Sequence, residues 1–186
     1  TLTLYEQRQF LVYGAGYNIE QAMQPLRIEH NGNRLAFIGC NAKSPGYAQS
    51  SANSPGTWFC DWETLSAQIQ SVTDEGYLPI ITIQHKEYDQ PTPTQEIITD
   101  FHFLADQGAA VIIGSQAHQP QTFDFSTPAF IHYGLGNLFF DQYNEGANYR
   151  DAFIDRLTVY ENHLVNVSLT TTVFIDWAKP RLMDEA

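Results

Sequence analysis

Two of the six histidines in this 186-residue chain stand directly behind short, wholly apolar runs. Tyr77 to Ile83 (YLPIITI) leads into Gln84-His85-Lys86-Glu87-Tyr88, and Ala110 to Ile113 (AVII) leads into Gly114-Ser115-Gln116-Ala117-His118. Ligands in open α/β sheets collect outside the carboxyl ends of the strands, so His85 and His118 occupy positions from which chemistry is done. Neutral imidazole is the commonest ligand for borderline divalent metals, and two strand ends can deliver two imidazoles to one ion. Gln116 could add an amide oxygen, a weak ligand better suited to hard cations. Glu87 could hold the His85 ring as an outer carboxylate. The competing reading is a hydrogen-bonded loop histidine at each strand end, which spacing alone favours. His102, inside a helical stretch, and His132, inside a strand, read as packing or outer-shell groups, while His30 and His163 read as solvated turn residues.

These positions need a scaffold, and the periodicities supply one. Asp61 can cap a helix with apolar residues at Trp62, Leu65, Ile69 and Val72, stopped by Gly76. Thr92-Pro93-Thr94-Gln95 carries an N-cap, a first-turn proline and a capping-box Gln for a helix whose stripe is Ile97, Ile98, Phe101, Leu104 and Ala105. Leu35 to Gly39 reads as a buried strand after the Asn31-Gly32-Asn33 turn, and Asn18 as the cap of a short helix with Ile19, Ala22, Met23 and Leu26 on one side. Strand, helix, strand, helix, strand is the signature of βαβ crossovers and a largely parallel sheet. From Ala129 onward the chain turns to β, with a hairpin expected between Leu157–Tyr160 and Leu164–Phe174 around Glu161-Asn162-His163. Asn41 to Thr57 reads as a long surface loop. One domain over residues 1–186 is the simplest organisation.

Composition narrows the function. Nine Lys and Arg against 21 Asp and Glu give a formal net charge of −12, which argues against a sequence-independent grip on nucleic acid. An anionic partner would need a local cationic or metal-bearing site. No apolar run reaches the roughly 18–20 residues that span a bilayer, and no leader precedes Thr1. Cys40 and Cys60 flank the Asn41–Thr57 segment at a spacing that a disulfide could close, worth about 3 kcal/mol in the chain-entropy model, or they are two unpaired small hydrophobes. A disulfide would lean toward an exported protein. No Gly-x-Ser-x-Gly elbow, plausible Cys nucleophile, P-loop or dinucleotide turn is present.

An ordered set of segments resembles the C-terminal half of the bacterial capsule-synthesis (CapA, poly-γ-glutamate synthesis) family. They are Tyr13-Gly14-Ala15-Gly16 with its short helix, the strand ending in His85 with Glu87-Tyr88, and Gly108 to His118 continuing to Tyr133-Gly134-Leu135-Gly136-Asn137-Leu138-Phe139-Phe140-Asp141. That family is similar in fold to calcineurin-like metallophosphoesterases, so the resemblance implies an α/β fold with βαβ units, then antiparallel strands. It implies a divalent metal (Mn, Zn or Fe) faced by His85, His118 and Gln116, with Glu87, Tyr88, Gly114, Ser115 and Asn137 beside the metal or substrate. The family's usual His-x-His is Gln116-Ala117-His118 here, and its His-Trp-Gly lead-in is His85-Lys86-Glu87. The family's first half has no counterpart, so the site is expected to be incomplete, with the N-terminal half of the same protein or a second copy as partner. The expected setting is the cell envelope or exterior. The expected role is in capsule or poly-γ-glutamate synthesis, with an active metal-dependent phosphoesterase or a non-catalytic module for an anionic polymer (poly-γ-glutamate or capsule polysaccharide) as alternatives.

Overall fold

The structure, a computed structural model, describes residues 1–43, 46, 48–86, 88, 90–140, 144–177 and 179–183. A first helix, α1 (Leu2–Gln7), precedes β1 (Ala15–Gly16) and α2 (Ile19–Ala22). The Asn18 side chain accepts from Gln21 N at 2.9 Å, which starts α2 where the sequence places it. Pro25 follows at once, and Leu26, expected on the apolar side of that helix, instead opens β2 (Leu26–His30). The Asn31-Gly32 turn, both residues at positive φ, sends the chain back as β3 (Asn33–Asn41).

Next come β4 (Gly56–Thr57), α3 (Trp62–Asp74), β5 (Leu78–Gln84), α4 (Gln95–Asp106) and β6 (Val111–Gly114). Asp61 caps α3 by accepting from Thr64 N at 2.7 Å, and that bond holds its carboxyl below the usual range. Helix α4 begins two residues later than the Thr92-Pro93 pattern suggests, because Thr94 rather than Thr92 accepts from the first turn, at Ile97 N. The remaining strands are β7 (Phe123–Asp124), β8 (Phe130–His132), β9 (Asp151–Tyr160), β10 (His163–Ile175) and β11 (Lys179–Leu182), with a 3₁₀ turn at Ala147–Arg150 before β9.

Six strands form one sheet in the order β2-β3-β5-β6-β8-β7. The four central strands run parallel and the two edge strands antiparallel to their neighbours. Strand alternation then divides the side chains between two cores. Ala36, Ile38, Ile81, Ile83, Ile112 and Ile131 face the stripes of α3 and α4 (Leu65, Ile69, Val72; Ile97, Phe101, Leu104). On the opposite face Ile80, Val111 and Phe130 pack beneath Leu157, Leu164, Val167 and Leu169 of the β9–β10 hairpin. Helices, sheet and hairpin therefore make three layers, with the β5 and β6 carboxyl ends on one rim. Strand β9 starts at Asp151, earlier than expected, and its turn at Glu161-Asn162 places both residues at positive φ. Among the described residues no helix is long and apolar enough to cross a membrane.

The Asn41–Thr57 segment is less of a free loop than its composition suggests. Asn41 completes β3, β1 pairs with β4, and Ser50 is buried. Cys40 and Cys60 are joined by a disulfide across a sequence separation of 20. Closing a loop of that length should stabilise the fold by about 3 kcal/mol. The paired Cys40→Ser/Cys60→Ser change is expected to lower the urea-unfolding free energy by about that amount, and an unchanged midpoint would show that the backbone bonds of the segment already hold it.

Candidate functional site

His85 leaves β5 toward the helical layer. It is buried (4% exposed) against the Phe101 ring, and its Nε2 lies 2.8 Å from Asp100 Oδ2 on α4. A carboxylate only accepts, so Asp100 fixes the proton on Nε2 and leaves Nδ1 as a lone pair. That Nδ1 is buried and, among the described residues, has no hydrogen-bond partner. A ring held by a carboxylate through one nitrogen, with the other bare, is the arrangement in which histidines bind metals.

His118 is oriented by another route. Asn137 Nδ2 donates to Tyr149 O at 3.0 Å, which turns Asn137 Oδ1 toward His118 Nδ1 at 2.9 Å. The imidazole therefore donates from Nδ1, and Nε2 carries the lone pair; its ring packs on Phe140 at 4.8 Å between centroids. Two loops interlock to make this possible. Gln121 N donates to Gly134 O, Pro120 bridges to Leu135, and Phe153 N donates to Leu135 O.

Gln116, expected to face a metal, has its Oε1 bonded by Gln84 Nε2 at 2.6 Å. Ser115 donates from both N and Oγ to Ile83 O, and Gly114 ends β6 beneath the Tyr133 carbonyl. Tyr88 donates its hydroxyl to Glu96, which is also paired with Lys86, and this holds the Glu96 carboxyl low and the phenol high. Glu87 and Asp141 lie outside the described residues. Among the described residues no group of three or more His, Cys, Asp and Glu gathers that could hold a metal. Among the described residues, then, His85 has the chemistry of a pre-oriented ligand and His118 a fixed ring, well short of a full ligand set.

Asp100 is the residue that sequence reasoning missed. Its only signal is an acid three residues after Ile97 and one before Phe101, at the border of a buried stripe. The other two internal histidines serve packing. His102 Nε2 meets Asp124 at 2.8 Å and Tyr133 OH at 3.2 Å. The Ser126 and His102 bonds keep Asp124 anionic well below the usual range, and burial beside that charge raises the Tyr133 phenol. His132 is bonded to Asp155 beneath the hairpin.

On the same rim, but over the hairpin-side face of the sheet, a cleft of about 140 Å³ lies at the ends of β3, β5 and β6. It is lined by Tyr13, Asn41, Thr57, Thr82, Gln84 and Ser115.

The model of the family described as bacterial capsule synthesis protein PGA_cap matches residues 1–142. The capsule biosynthesis protein CapA of Bacillus anthracis is 28% identical over 148 residues, covering 76% of this chain and 36% of that protein. The PGA biosynthesis protein CapA of Bacillus subtilis (strain 168) is 27% identical over 148 residues, 76% of this chain and 38% of that protein. The chain therefore spans well under half the length of these curated relatives. Among solved structures, a hypothetical protein from Thermus thermophilus shares the fold at a TM-score of 0.53 and 13% identity, over 84% of this chain and 62% of that one. A 5'-nucleotidase precursor from the same organism lies further off, at a TM-score of 0.47 and 14% identity over 92% and 35% of the two chains. The fold class is the expected α/β one, with βαβ units in a mixed sheet followed by antiparallel strands. With residues 1–142 of 186 matched, the chain belongs to the bacterial capsule synthesis protein PGA_cap family.

Proposed function

We propose that this chain serves capsule polymer synthesis at the bacterial cell envelope, as part of a metallophosphoesterase-like unit to whose metal site it contributes His85 and His118. One observation carries the metal assignment. Each imidazole stands just past the end of a parallel strand with its ring orientation fixed, His85 by Asp100 with Nδ1 bare among the described residues, and His118 by Asn137. A divalent ion (Mn, Zn or Fe) held there would supply Lewis-acid activation of a phosphoryl oxygen. The chain's own residues bind and orient: Asp100 and Asn137 fix the tautomers, and Phe101 and Phe140 exclude water from one side of each ring. The remaining ligands would come from the N-terminal half of the same protein or from a second copy. The polymer, poly-γ-glutamate or a capsule polysaccharide, is suggested by the names of the Bacillus relatives. A formal charge of −12 requires that an anionic polymer be held at such a local site rather than along the surface.

A second reading, a non-catalytic module that binds or guides the polymer, is favoured by Gln116. Its amide oxygen is engaged by Gln84, so one expected ligand is occupied within the protein.

Metal content and phosphodiester turnover of the full-length protein, loaded with manganese, zinc or iron, separate the two. Under the first reading His118→Ala lowers bound metal by about ten-fold or more and turnover with it. Stoichiometric polymer binding that survives His118→Ala in a metal-free protein supports the second. A protein that holds neither metal nor polymer would overturn both.

A further inference from the structure

The cleft at the ends of β3, β5 and β6 has a chemistry of its own. Among the described residues lining it there is no carboxylate and no cation; its polar groups are amides and hydroxyls. Asn41 is the most constrained of them. It is 4% exposed, and its backbone is fixed on both sides by Trp58 O and Cys60 N, next to the Cys40–Cys60 disulfide. Its Oδ1 accepts from Lys43 N at 2.8 Å, which assigns the amide orientation and leaves Nδ2 as the donor it can offer to the cleft it lines. With the residue so nearly enclosed, that donor is best matched by a cleft occupant that accepts.

Gln84 supplies the opposite half. One N–H of its Nε2 donates to Gln116 Oε1, which orients the amide and makes Oε1 its acceptor at the cleft. Tyr13 stands over the same opening, its ring against Phe37 and Gly39 and its hydroxyl 3.5 Å from Thr82 Oγ1. The cleft thus offers a fixed donor on β3 and a fixed acceptor on the adjacent, parallel β5, where Asn41 and Gln84 are register partners.

We propose that this cleft binds a secondary amide, the N-acyl or amide-linkage group of a small ligand or chain unit, whose carbonyl accepts from Asn41 Nδ2 and whose N–H donates to Gln84 Oε1. The pairing explains why a carboxylate is the wrong occupant: with acceptors alone, it would set an oxygen against Gln84 Oε1 and find no cation. An ester is wrong for the same reason, since it lacks the N–H. The volume of about 140 Å³ suits one such group at a time. The site needs neither metal nor imidazole, so it stands or falls apart from the proposed function.

The test is a titration of this chain with N-acetylglucosamine and with γ-glutamyl-N-methylamide, against methyl acetate and acetate, followed on the ¹⁵N side-chain amide signals of Asn41 and Gln84. Saturable shifts with at least one amide probe are expected, with the ester and acetate about ten-fold weaker or worse, the effect of one unpaired polar group. Which amide probe binds tells an N-acyl sugar from an amide-linked chain. Asn41→Asp keeps the acceptor for Lys43 N and replaces the donor by a carboxylate oxygen that repels the ligand carbonyl, and should abolish the amide preference. Should that variant not fold, Gln84→Met removes the cleft acceptor and should erase the advantage of amide over ester. Acetate binding as well as the amides, preference unchanged in these variants, or no saturable shift with any probe would each overturn the assignment.

Discussion

Asp155→Ala is expected to cost this protein about 3 kcal/mol of unfolding free energy, the upper end for leaving a buried hydrogen-bonding group without its partner. Asp155 Oδ2 lies 2.7 Å from His132 Nδ1, and the two side chains are 4% and 0% exposed. They join β8 in the central sheet to β9 in the hairpin, a buried polar rivet within an apolar contact whose tip is also tied to β3 through Asn162, Asn33 and Arg34. The Phe153, Phe123 and Phe130 rings surround His132 at 5.2, 5.9 and 6.1 Å between centroids. Water cannot take the place of the lost carboxylate without opening that cluster. Among the described residues His132 Nε2 and Asp155 Oδ1 are already buried without partners, so the pair is imperfectly satisfied. An apolar replacement of both, His132→Leu with Asp155→Leu, should therefore recover most of the loss. Urea unfolding of the two single variants and the double decides it. If Asp155→Ala unfolds at the wild-type midpoint, the hairpin is held by its apolar side chains and its bonds to Leu135, Asn33 and Arg34 without this pair.

This pair also marks where sequence reading stopped. His132 reads as a packing or outer-shell residue, which is what it is, yet nothing in the alternation of β9 singles out Asp155 among its polar positions. The partner becomes visible only when the hairpin folds back over the sheet, a contact between segments far from one another in type as well as in place. Helices α3 and α4 were legible because their stripes repeat at helical spacing and Asp61 caps the first, while the cap of the second fell at Thr94 rather than Thr92. The central strands were legible because burial on both faces leaves unbroken apolar runs. Short pieces were not. Strands β1, β4 and β7 are two residues each, below any periodicity, and exist through pairing with distant chain.

The same contrast runs through the site. His85 and His118 could be picked out because strand ends are readable, and Asn137 came with the matched segment around Gly136. The orientation of the rings could not be read. The carboxylate at His85 Nε2 is Asp100, from the following helix, whereas Glu87, expected as an outer carboxylate, lies outside the described residues. A helix crossing the end of its own strand brings a residue 15 positions away closer than sequence order suggests. Likewise Gln84 and Gln116 find each other because β5 and β6 lie side by side, and Asn41 keeps an amide donor for the cleft through the turn that captures its Oδ1.

Gly114→Ala should be the most damaging small substitution in the site, at about 3 kcal/mol, near the upper end for overpacking a closed contact. A Cβ at Gly114 would lie 2.0 Å from Tyr133 O and 2.8 Å from Tyr133 C, both backbone atoms that no rotamer change can move aside. Relief would require the chain after β8 to lift, and that chain is fixed in turn. A Cβ at Gly134 would already meet Ala117 Cβ at 2.5 Å, and Gly134 O accepts from Gln121 N. The loop bearing His118 and the loop bearing Asn137 interlock through these two glycines, so prising them apart should loosen the His118–Asn137 bond together with the fold. Gly32→Ala is the control. Its φ of +76° costs an alanine about 1–2 kcal/mol, but nothing lies within 4 Å of the new Cβ. Urea unfolding should therefore rank Gly114→Ala below Gly32→Ala, and only the former should shift the His118 imidazole resonances. Equal losses for the two, with His118 undisturbed, would mean that the strand ends part freely and that something other than this interlock holds the imidazole in place.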